Sequence, residues 1–324
     1  MQDLGSNAPK LTGTASPAVV IIVTRNRAGV LRRSVQSVLR QQPQTPALIV
    51  VDDASSDNTQ QVLLEECPNA TVITLSKSVG WSAARNVAAA AADRDVLFFL
   101  DDDGELAQDA VAAAASAMLA DPRIGALVAT VIENGKPIVE APADAKTFRN
   151  VCYGQGVLRR EAFMAVGMYP TDFAYAEEMD LSLRLLDAGY HIVHDPAVVT
   201  FHTPDPRTRR PLEHVEVHRN MLRVVVMRAP LGLMVPWALK KAWDTIIAAL
   251  RTQRSRAVAA EMLALPRALL RAMRHRHAIS WKVFAVWKHL SSRQVTSDDY
   301  QAAALRAYPT YWRLLLAYLR AGLS

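Results

Sequence analysis

The sequence contains only two cysteines, Cys67 and Cys152, which excludes a fold held together by a framework of disulfides. Because few cysteines are typical of proteins in reducing compartments, we expect a cytoplasmic location. No apolar stretch reaches the ~20 residues that a membrane-spanning helix requires, and one apolar segment is interrupted by Pro230 and Pro236. Residues 1–16 lack the apolar core of a signal peptide, so we expect a flexible N-terminal tail there.

Glycine-rich phosphate-binding loops are also missing from the chain. Neither GxGxxG nor GxxxxGK followed by Ser or Thr occurs anywhere, which argues against a dinucleotide-binding dehydrogenase and a P-loop enzyme. The first apolar run is followed by TRNRAG, which has one glycine and no aspartate. This segment therefore disfavours a nucleotidyltransferase with a glycine-rich loop and a dehalogenase-like phosphatase.

Acidic residues are scarce in the last third of the chain. Residues 216–324 hold 18 Lys and Arg against 5 Asp and Glu, a net charge of +13, whereas residues 1–215 hold 19 against 26, a net charge of −7. An acidic part suits a cation site, and a basic helical part suits an anionic partner such as a membrane surface. Aromatic residues for stacking on bases are sparse in the basic part, so no nucleic-acid partner is expected.

The segment VLFFLDDDG, residues 96–104, joins an apolar run to three consecutive aspartates. Such a run is typical of a buried strand of a parallel sheet. Ligands of open α/β sheets bind beyond the carboxyl ends of the strands, so Asp101, Asp102 and Asp103 are expected at the mouth of a crevice. Because a divalent cation relieves repulsion among carboxylates, the segment indicates either a metal-assisted site for a phosphorylated ligand or a solvated acidic turn.

The first half of the chain alternates apolar runs with helical patterns, which is typical of βαβ units and a mostly parallel sheet. Strands are predicted over residues 18–24, 47–53, 71–75 and 96–100, and helices over residues 29–41, 59–66 and 107–120, with a further Ala-rich helix after Gly80. Asn134 and Gly135 predict the turn of a hairpin. These patterns indicate an α/β fold.

The second half begins with a strand that enters a short helix in VCYGQGVLRREAFMAVG. An acidic loop, a helix ended by Gly189 and two strand-like runs that end at His202 are predicted to follow. Beyond them the pattern becomes that of basic amphipathic helices. We therefore predict one domain over residues 17–215 and a basic helical region over residues 216–324.

The apolar residues of this helical region fall on single helical faces, as in Leu239, Trp243, Ile246 and Leu250. Basic amphipathic helices that carry tryptophan can bury their apolar face at a lipid interface. The same faces could instead pack on the first domain or on a second subunit. The sequence alone does not decide between the two, and it leaves the oligomeric state open.

The motifs resemble those of the family 2 glycosyltransferases, which have the GT-A nucleotide-sugar-binding fold. The resemblance covers roughly residues 17–202, where the following segments stand in the family's order: AVVIIVTRNRAGVLRRSVQSVLRQ, IVVDDASSDNT, GWSAARNVA, VLFFLDDDG and AEEMDLSLRLLDAGY. It implies a Rossmann-like, mostly parallel GT-A sheet that moves a sugar from a nucleotide-diphosphate sugar. The C-terminal helices are similar, in texture only, to those of bacterial cell-envelope rhamnosyl- and galactosyltransferases.

The resemblance places donor binding at the ends of the first strands. Thr24 and Asp53 would contact the pyrimidine, while Arg25 stands where an aromatic residue of the family stacks near the base. This departure leaves UDP, dTDP and GDP open as the nucleotide, with a UDP- or dTDP-sugar as the expected donor. Arg85 would steady the base or the diphosphate, or else pair with a nearby carboxylate. The other residues assigned to donor binding are Gly80, Asp101 and Asp102.

The resemblance also implies a metal site. Asp103 would bind Mn²⁺ or Mg²⁺ directly across the donor diphosphate, and Asp101 would meet either the ribose or the metal. His202 resembles the histidine that completes the metal shell in some members of the family, and a structural role for it stays open. Because imidazole favours Mn²⁺ over Mg²⁺, a ligating His202 would tilt the preference towards manganese.

The acidic segment EEMD is expected to activate the acceptor. Glu178 aligns with the family's usual aspartate base, and a base opposite the leaving nucleotide implies inversion at the anomeric carbon. Glu177 and Asp180 remain alternatives for the base, and Asp180 could instead anchor the helix or bind the acceptor. Ala176 replaces a frequent glycine of the family, which implies a stiffer acceptor loop.

These features predict a metal-dependent inverting glycosyltransferase that acts on a hydroxyl of a glycan or lipid-linked acceptor in cell-envelope polysaccharide synthesis. It would work in the cytoplasm or on the inner face of the cell membrane, with anionic lipid as a further partner. The alternative is a catalytically vestigial GT-A domain that serves as a membrane- or partner-binding module. Its acidic motifs, which include Asp103, Glu177 and Glu178, argue for the enzyme.

Overall fold

The computed structural model describes residues 16–138, 144–152, 155–172, 175–203, 213–250, 255–291 and 294–321. The expected N-terminal tail therefore lies almost entirely outside the described residues. Within them, strands and helices alternate up to residue 202, and helices alone follow from residue 213.

The strands, in chain order, are β1 (Ala18–Thr24), β2 (Ala47–Asp52), β3 (Thr71–Thr74), β4 (Val96–Asp101), β5 (Gly104–Leu106), β6 (Ile124–Glu133), β7 (Lys136–Pro137), β8 (Thr147–Phe148), β9 (Gly156–Arg159) and β10 (His191–His202). The helices up to the end of the sheet are α1 (Ala28–Leu39), α2 (Thr59–Glu66), α3 (Trp81–Ala91), α4 (Ala110–Ala120), α5 (Arg160–Ala165) and α6 (Glu177–Asp187). Those beyond it are α7 (Glu213–Arg228), α8 (Leu231–Leu250), α9 (Ser255–Arg274), α10 (Trp281–Ser291), α11 (Tyr300–Ala307) and α12 (Tyr311–Ala321).

One mixed sheet holds the strands in the order β3-β2-β1-β4-β9-β6-β10-β5, with β7 paired to β6 and β8 to β10. β1, β2, β3 and β4 run parallel, β9 is antiparallel to both of its neighbours, and β10 is parallel to β6. The predicted mostly parallel α/β sheet is therefore confirmed. The carboxyl ends of β1, β2 and β4 meet at one edge, which is where ligands bind in such sheets.

The sheet is buried on both faces, as the unbroken apolar run of β1 predicts. Val20 and Ile22 pack into one core with residues of α1, α2 and α4, while Val19 and Ile21 pack into a second core on the opposite face. This alternation follows from the period of two along a strand. The second core also contains residues of α3, α5 and α6.

The predicted elements agree with the structure except at short or irregular strands. Residues 107–109, predicted as helical, precede α4, and the three-residue β5 stands just before them. The two strand-like runs predicted after Gly189 form the single strand β10, whose pairing with β6 changes register between His194 and Val199. Pro196 lies in this interval and has no N–H to donate, which accounts for an irregular ladder there.

The C-terminal helices pack against two cores. Residues of α10 and α11 enter the second core of the sheet. Residues of α7, α8, α9, α10 and α12 form a third core together with Met179 and Leu183 of α6, so α10 contributes to both cores. Leu239, Trp243 and Ile246 of the predicted apolar face are 67%, 63% and 42% exposed, so that face does not pack on the rest of the described chain. The side chain of Leu250 lies outside the described residues. None of the described helices has the length and apolar character needed to cross a bilayer.

A glycine in β6 marks a tight contact with the loop after α6. A Cβ atom built on Gly125 would lie 2.7 Å from the Cβ of Tyr190, whereas one built on Gly29 in α1 would have no neighbour within 4 Å. We expect Gly125→Ala to lower the free energy of unfolding by ~1–3 kcal/mol through overpacking. The control Gly29→Ala should raise it by ~0.5–1 kcal/mol because alanine favours the helix. Urea unfolding of both variants measures the difference, and equal stabilities would contradict the contact.

Candidate functional site

The edge formed by β1, β2 and β4 collects most of the predicted donor residues. Val23 of β1 pairs with Asp101 of β4, and Thr24 pairs with Asp52 of β2. Asp53 follows directly, and its N–H donates to the carbonyl of Thr24 at 2.9 Å. Parallel strands thus bring together residues that are distant in the chain, as the sequence predicted.

Asp102 turns back into the protein while its two neighbours face the crevice. The hydroxyl of Thr24 donates to its carboxylate at 2.8 Å, and Nε of Arg27 lies 2.9 Å from the other carboxylate oxygen. Burial raises the pKa of Asp102 to about 7, although the charge of Arg27 opposes the rise. Neither Thr24 nor Asp102 is open to solvent, and Thr24 is only 1% exposed.

Asp101, Asp103 and His202 form a cluster in which the potential ligand atoms all lie within 4.8 Å of one another. The antiparallel pairing of β5 with β10 sets His202 opposite Gly104, the residue after the aspartates. Nε2 of His202 lies 3.3 Å from Asp103, and its Nδ1 lies 3.0 Å from Glu133. Two carboxylates and one imidazole are donors that suit Mn²⁺, and the carboxylates alone suit Mg²⁺.

The charges around Asp103 are balanced within the chain itself. Burial favours the neutral carboxyl, but the hydrogen bond with His202 and the charge of Arg27 outweigh burial and hold the pKa of Asp103 below its usual value. The same contact raises the pKa of His202 to about 9. A guanidinium N–H of Arg27 also donates to Asp103. A cation that entered this cluster would therefore compete with Arg27 and with the proton of His202.

Arg85 lies under the site in a nearly closed environment. Its guanidinium donates to Asp101 at 2.6 Å and stands 5.9 Å from the ring centroids of Phe99 and Tyr169. Burial opposes its charge, yet Asp101 and the other nearby acidic groups raise the pKa of Arg85 above its usual value. Arg85 thus pairs with a carboxylate, which was one of the two predicted roles.

Asp53 organises the loop that contains Gly80. Its carboxylate accepts hydrogen bonds from the N–H groups of Val79 and Gly80 at 2.7 and 3.0 Å and from the hydroxyl of Ser78 at 2.7 Å. Gly80 has a φ of +84°, a conformation that side chains disfavour. Arg25, by contrast, is exposed at the rim of the crevice.

Glu177 and Glu178 begin α6 and lie close enough to Asp101 and Arg85 to interact with them electrostatically. The indole N–H of Trp81 donates to Glu177, and the Trp81 ring packs edge-on against Tyr175 at 5.0 Å. Burial, followed by the charge of Glu177, raises the pKa of Glu178 to about 8. Burial likewise raises the pKa of Glu177. Two neighbouring buried carboxyls cannot both ionise easily, so this pair is able to hold a proton near neutral pH.

Asp180 lies apart from this pair, between two arginines. Arg184 donates to its carboxylate at 2.8 Å and Arg228 at 2.7 Å, and Asp180 is 1% exposed. The residue that precedes α6, Ala176, has a φ of +65°. A left-handed conformation costs a residue with a Cβ ~1–2 kcal/mol, which explains why glycine is frequent there in the resembling family.

Several residues that contact the site, among them Arg27, Trp81 and Glu133, have no role in the sequence prediction. Arg27, which contacts Asp102 and Asp103, comes three positions after the last residue of β1, and Trp81 opens α3. An arginine in a loop directly after the first strand is a signal that could have drawn attention to Arg27. Trp81 gives no comparable signal, because its partner Glu177 is far away in the chain.

The chain is similar to known proteins in both sequence and fold. The model of the family "Glycosyl transferase family 2" matches residues 19–177. The O-antigen chain rhamnosyltransferase RfbN of Salmonella typhimurium is 26% identical over 208 residues, which cover 57% of this chain and 66% of that protein.

Solved structures share the fold at low sequence identity. TarS of S. aureus in complex with UDP-GlcNAc has a TM-score of 0.61 and 16% identity, over 90% of this chain and 91% of that one. The mannosyltransferase PcManGT of Pyrobaculum calidifontis, in complex with GDP-Man and Mn²⁺, has a TM-score of 0.53 and 19% identity, over 95% and 86%. Residues 19–177 thus form a domain of glycosyl transferase family 2, and the fold is of the GT-A type.

Proposed function

We propose that the protein is a metal-dependent, inverting glycosyltransferase of cell-envelope polysaccharide synthesis. It moves a sugar from a UDP- or dTDP-sugar to a hydroxyl of a glycan or lipid-linked acceptor. The observation that carries the proposal is the cluster of Asp101, Asp103 and His202 at the strand ends, with the carboxyl pair Glu177 and Glu178 in electrostatic contact with Asp101. The cluster suits a cation with a diphosphate, and the carboxyl pair suits a proton acceptor.

The metal would be held by Asp103 and Asp101, with His202 as a third ligand. When bound, Mn²⁺ or Mg²⁺ supplies charge that stabilises the departing nucleoside diphosphate, so no acid of the protein has to protonate it. Arg85 holds Asp101 in place from below, and Arg27 neutralises Asp103 until the cation enters. Thr24, Asp102 and the loop that Asp53 and Gly80 hold together would shape the nucleotide pocket, with Arg25 at its rim.

The relatives support the class of reaction and the type of donor. RfbN is named as an O-antigen rhamnosyltransferase, and the TarS and PcManGT structures contain UDP-GlcNAc and GDP-Man with Mn²⁺, respectively. Because these ligands differ in both sugar and base, they support a nucleotide-sugar donor and do not choose one.

Glu178 is the proposed general base. Its carboxylate has a pKa of about 8, raised by burial and by Glu177, which suits removal of a proton from a hydroxyl near neutral pH. Glu177 is held by Trp81, and Asp180 is held by Arg184 and Arg228, so both are committed to contacts inside the protein. A base on the face opposite the nucleotide supports a single displacement with inversion.

The metal site is tested by release of nucleoside diphosphate from a panel of UDP-, dTDP- and GDP-sugars, with Mn²⁺, Mg²⁺ or EDTA. We expect one donor to be turned over with metal only, and Asp103→Ala to lower the rate at least ~10²-fold because the leaving diphosphate loses its counter-charge. Asp93→Ala, at an 80% exposed side chain, is the matched control and should keep the full rate. If no nucleoside diphosphate is released from any donor and calorimetry detects no nucleotide binding, the result would favour the vestigial binding module.

The base is tested by the pH dependence of transfer. The pKa of Glu178 is raised, so its carboxyl is protonated below about pH 8, and the rate should fall roughly tenfold per unit as pH decreases. Glu178→Gln should lower kcat by ~10²–10⁴-fold while nucleotide binding persists. Glu161→Gln, at an exposed position of α5, is the control. A flat profile from pH 6 to 9 together with an active Glu178→Gln would move the base to Glu177.

We further propose that the exposed apolar face of α8 binds an anionic membrane surface. Its residues recur at helical spacing and all are exposed: Leu231, Val235, Leu239, Trp243 and Ile246. Trp312 and Leu316 of α12, a helix that packs on α8, are exposed as well. The region has a net charge of +13, which complements anionic headgroups. A protein held in this way on the inner face of the cell membrane could reach a lipid-linked acceptor.

Cosedimentation with phosphatidylglycerol vesicles at low salt tests this surface. Leu239→Ala should weaken vesicle binding about tenfold through the loss of buried apolar area. Leu64→Ala, at a 77% exposed leucine of α2, makes the same change elsewhere and should have no effect. If the protein does not bind vesicles, and light scattering shows a dimer that Leu239→Ala dissociates, this face binds a second copy of the chain instead.

A further inference from the structure

A cavity of about 390 Å³ lies outside the crevice, between the loop after Tyr169 and helices α7 and α9. Its lining includes three arginines, Arg223, Arg228 and Arg271, together with His275 and His277. We call it the arginine cavity. Arg271, His275 and His277 are exposed, so the cavity can be reached from solvent.

The positive charge of the arginine cavity is only partly balanced. Arg223 pairs with Asp172, which also lines the cavity, and Arg228 pairs with Asp180 behind it. Among the residues that the structure describes, no carboxylate lies within ion-pair distance of Arg271. At least one guanidinium in this concave surface therefore has its donors available for a ligand.

The arginines also act on one another. Burial lowers the pKa of Arg223, and the charges of Arg219 and Arg271 lower it further, although Asp172 opposes them. Like charges gathered in one place disfavour their own charged forms, and an anion between them relieves that cost.

A second cavity of about 340 Å³ adjoins the first and shares Arg271 and His275 with it. Arg267 and Arg274 line this second space, next to the exposed Leu270. Arginines therefore follow one another along α9 from one cavity into the next. A ligand with two charged groups, or a charged group on an apolar chain, fits such a surface better than a single small ion.

One arginine of the cavity contacts the helix that carries the candidate base. Arg228 lines the cavity and at the same time holds Asp180, which stands two positions after Glu178 in α6. The cavity is thus connected, through Arg228 and Asp180, to the helix that begins with Glu177 and Glu178.

We propose that the arginine cavity binds a phosphate or diphosphate group of the acceptor substrate. Guanidinium groups pair with phosphate through two parallel hydrogen bonds, and three arginines around one cavity suit a multiply charged group. The role in the acceptor rests on the proposed glycosyl transfer, whereas the binding of phosphate does not. Such a group could be presented by a lipid or be free in solution.

Calorimetry with inorganic pyrophosphate tests the cavity on the full chain. EDTA is present throughout, because the acidic cluster at the strand ends repels an anion when no cation is bound. Wild-type protein should bind pyrophosphate, and Arg271→Ala should weaken binding about tenfold or more. Arg271→Lys keeps the charge and loses the paired hydrogen bonds, so it should fall between the two. Arg313→Ala, at an exposed arginine of α12, is the control and should bind as wild type does.

A second arm replaces pyrophosphate with dihexanoyl phosphatidylglycerol, a water-soluble phospholipid. Tighter binding of pyrophosphate indicates a terminal phosphate or diphosphate, and tighter binding of the phospholipid indicates a lipid headgroup. Unchanged affinity in Arg271→Ala, or no binding of either probe at low salt, overturns the proposal. An active transferase that binds neither probe leaves the proposed function standing. If the chain binds pyrophosphate through Arg271 but turns over no donor, the phosphate site in the arginine cavity stands and the proposed glycosyl transfer fails.

Discussion

Three consecutive carboxylates at the end of β4 constrain everything around them, because their repulsion has to be offset by opposite charge or by burial. Asp102, in the turn directly after β4, lies inward against Thr24, whereas Asp101 and Asp103 belong to the ligand cluster. Arg85 of α3 pairs with Asp101, and Arg27 of the loop after β1 pairs with Asp103, so both elements are tied to the same strand end. The site is therefore held together by ion pairs from a helix and a loop that follow different strands of the sheet.

Much of this arrangement could be predicted because long apolar runs in the sequence indicate buried strands directly. β1, β2 and β4 are continuous apolar segments of a kind that only a sheet buried on both faces accommodates. β5 and β8 have three and two residues, and such strands are defined by their partners in the sheet rather than by any pattern of their own. Arg27, at the end of the segment after β1, received no role for a related reason, since a polar loop has no periodicity that would distinguish a site residue from a solvated one.

Amphipathic periodicity predicted the C-terminal helices but did not predict what packs against their apolar faces. Residues of α10 and α11 close the second core of the sheet, so part of this region is needed to bury the sheet itself. The apolar stripe of α8 has the same spacing yet lies on the surface, while Trp237 on its opposite face is 2% exposed. The hydrophobic pattern of a sequence indicates which face of a helix is apolar, and only the folded structure shows whether that face is buried.

The pairing of His202 with Gly104 brings β10 next to the segment that directly follows β4, although β9 and β6 lie between β4 and β10 in the sheet. This pairing requires the sheet to be assembled, so the ligand cluster exists in the folded chain and not in the unfolded one. An ion held there would act as a removable cross-link. Its binding energy would add to the free energy of unfolding, and metal supply would then govern how long the protein survives as well as how fast it works.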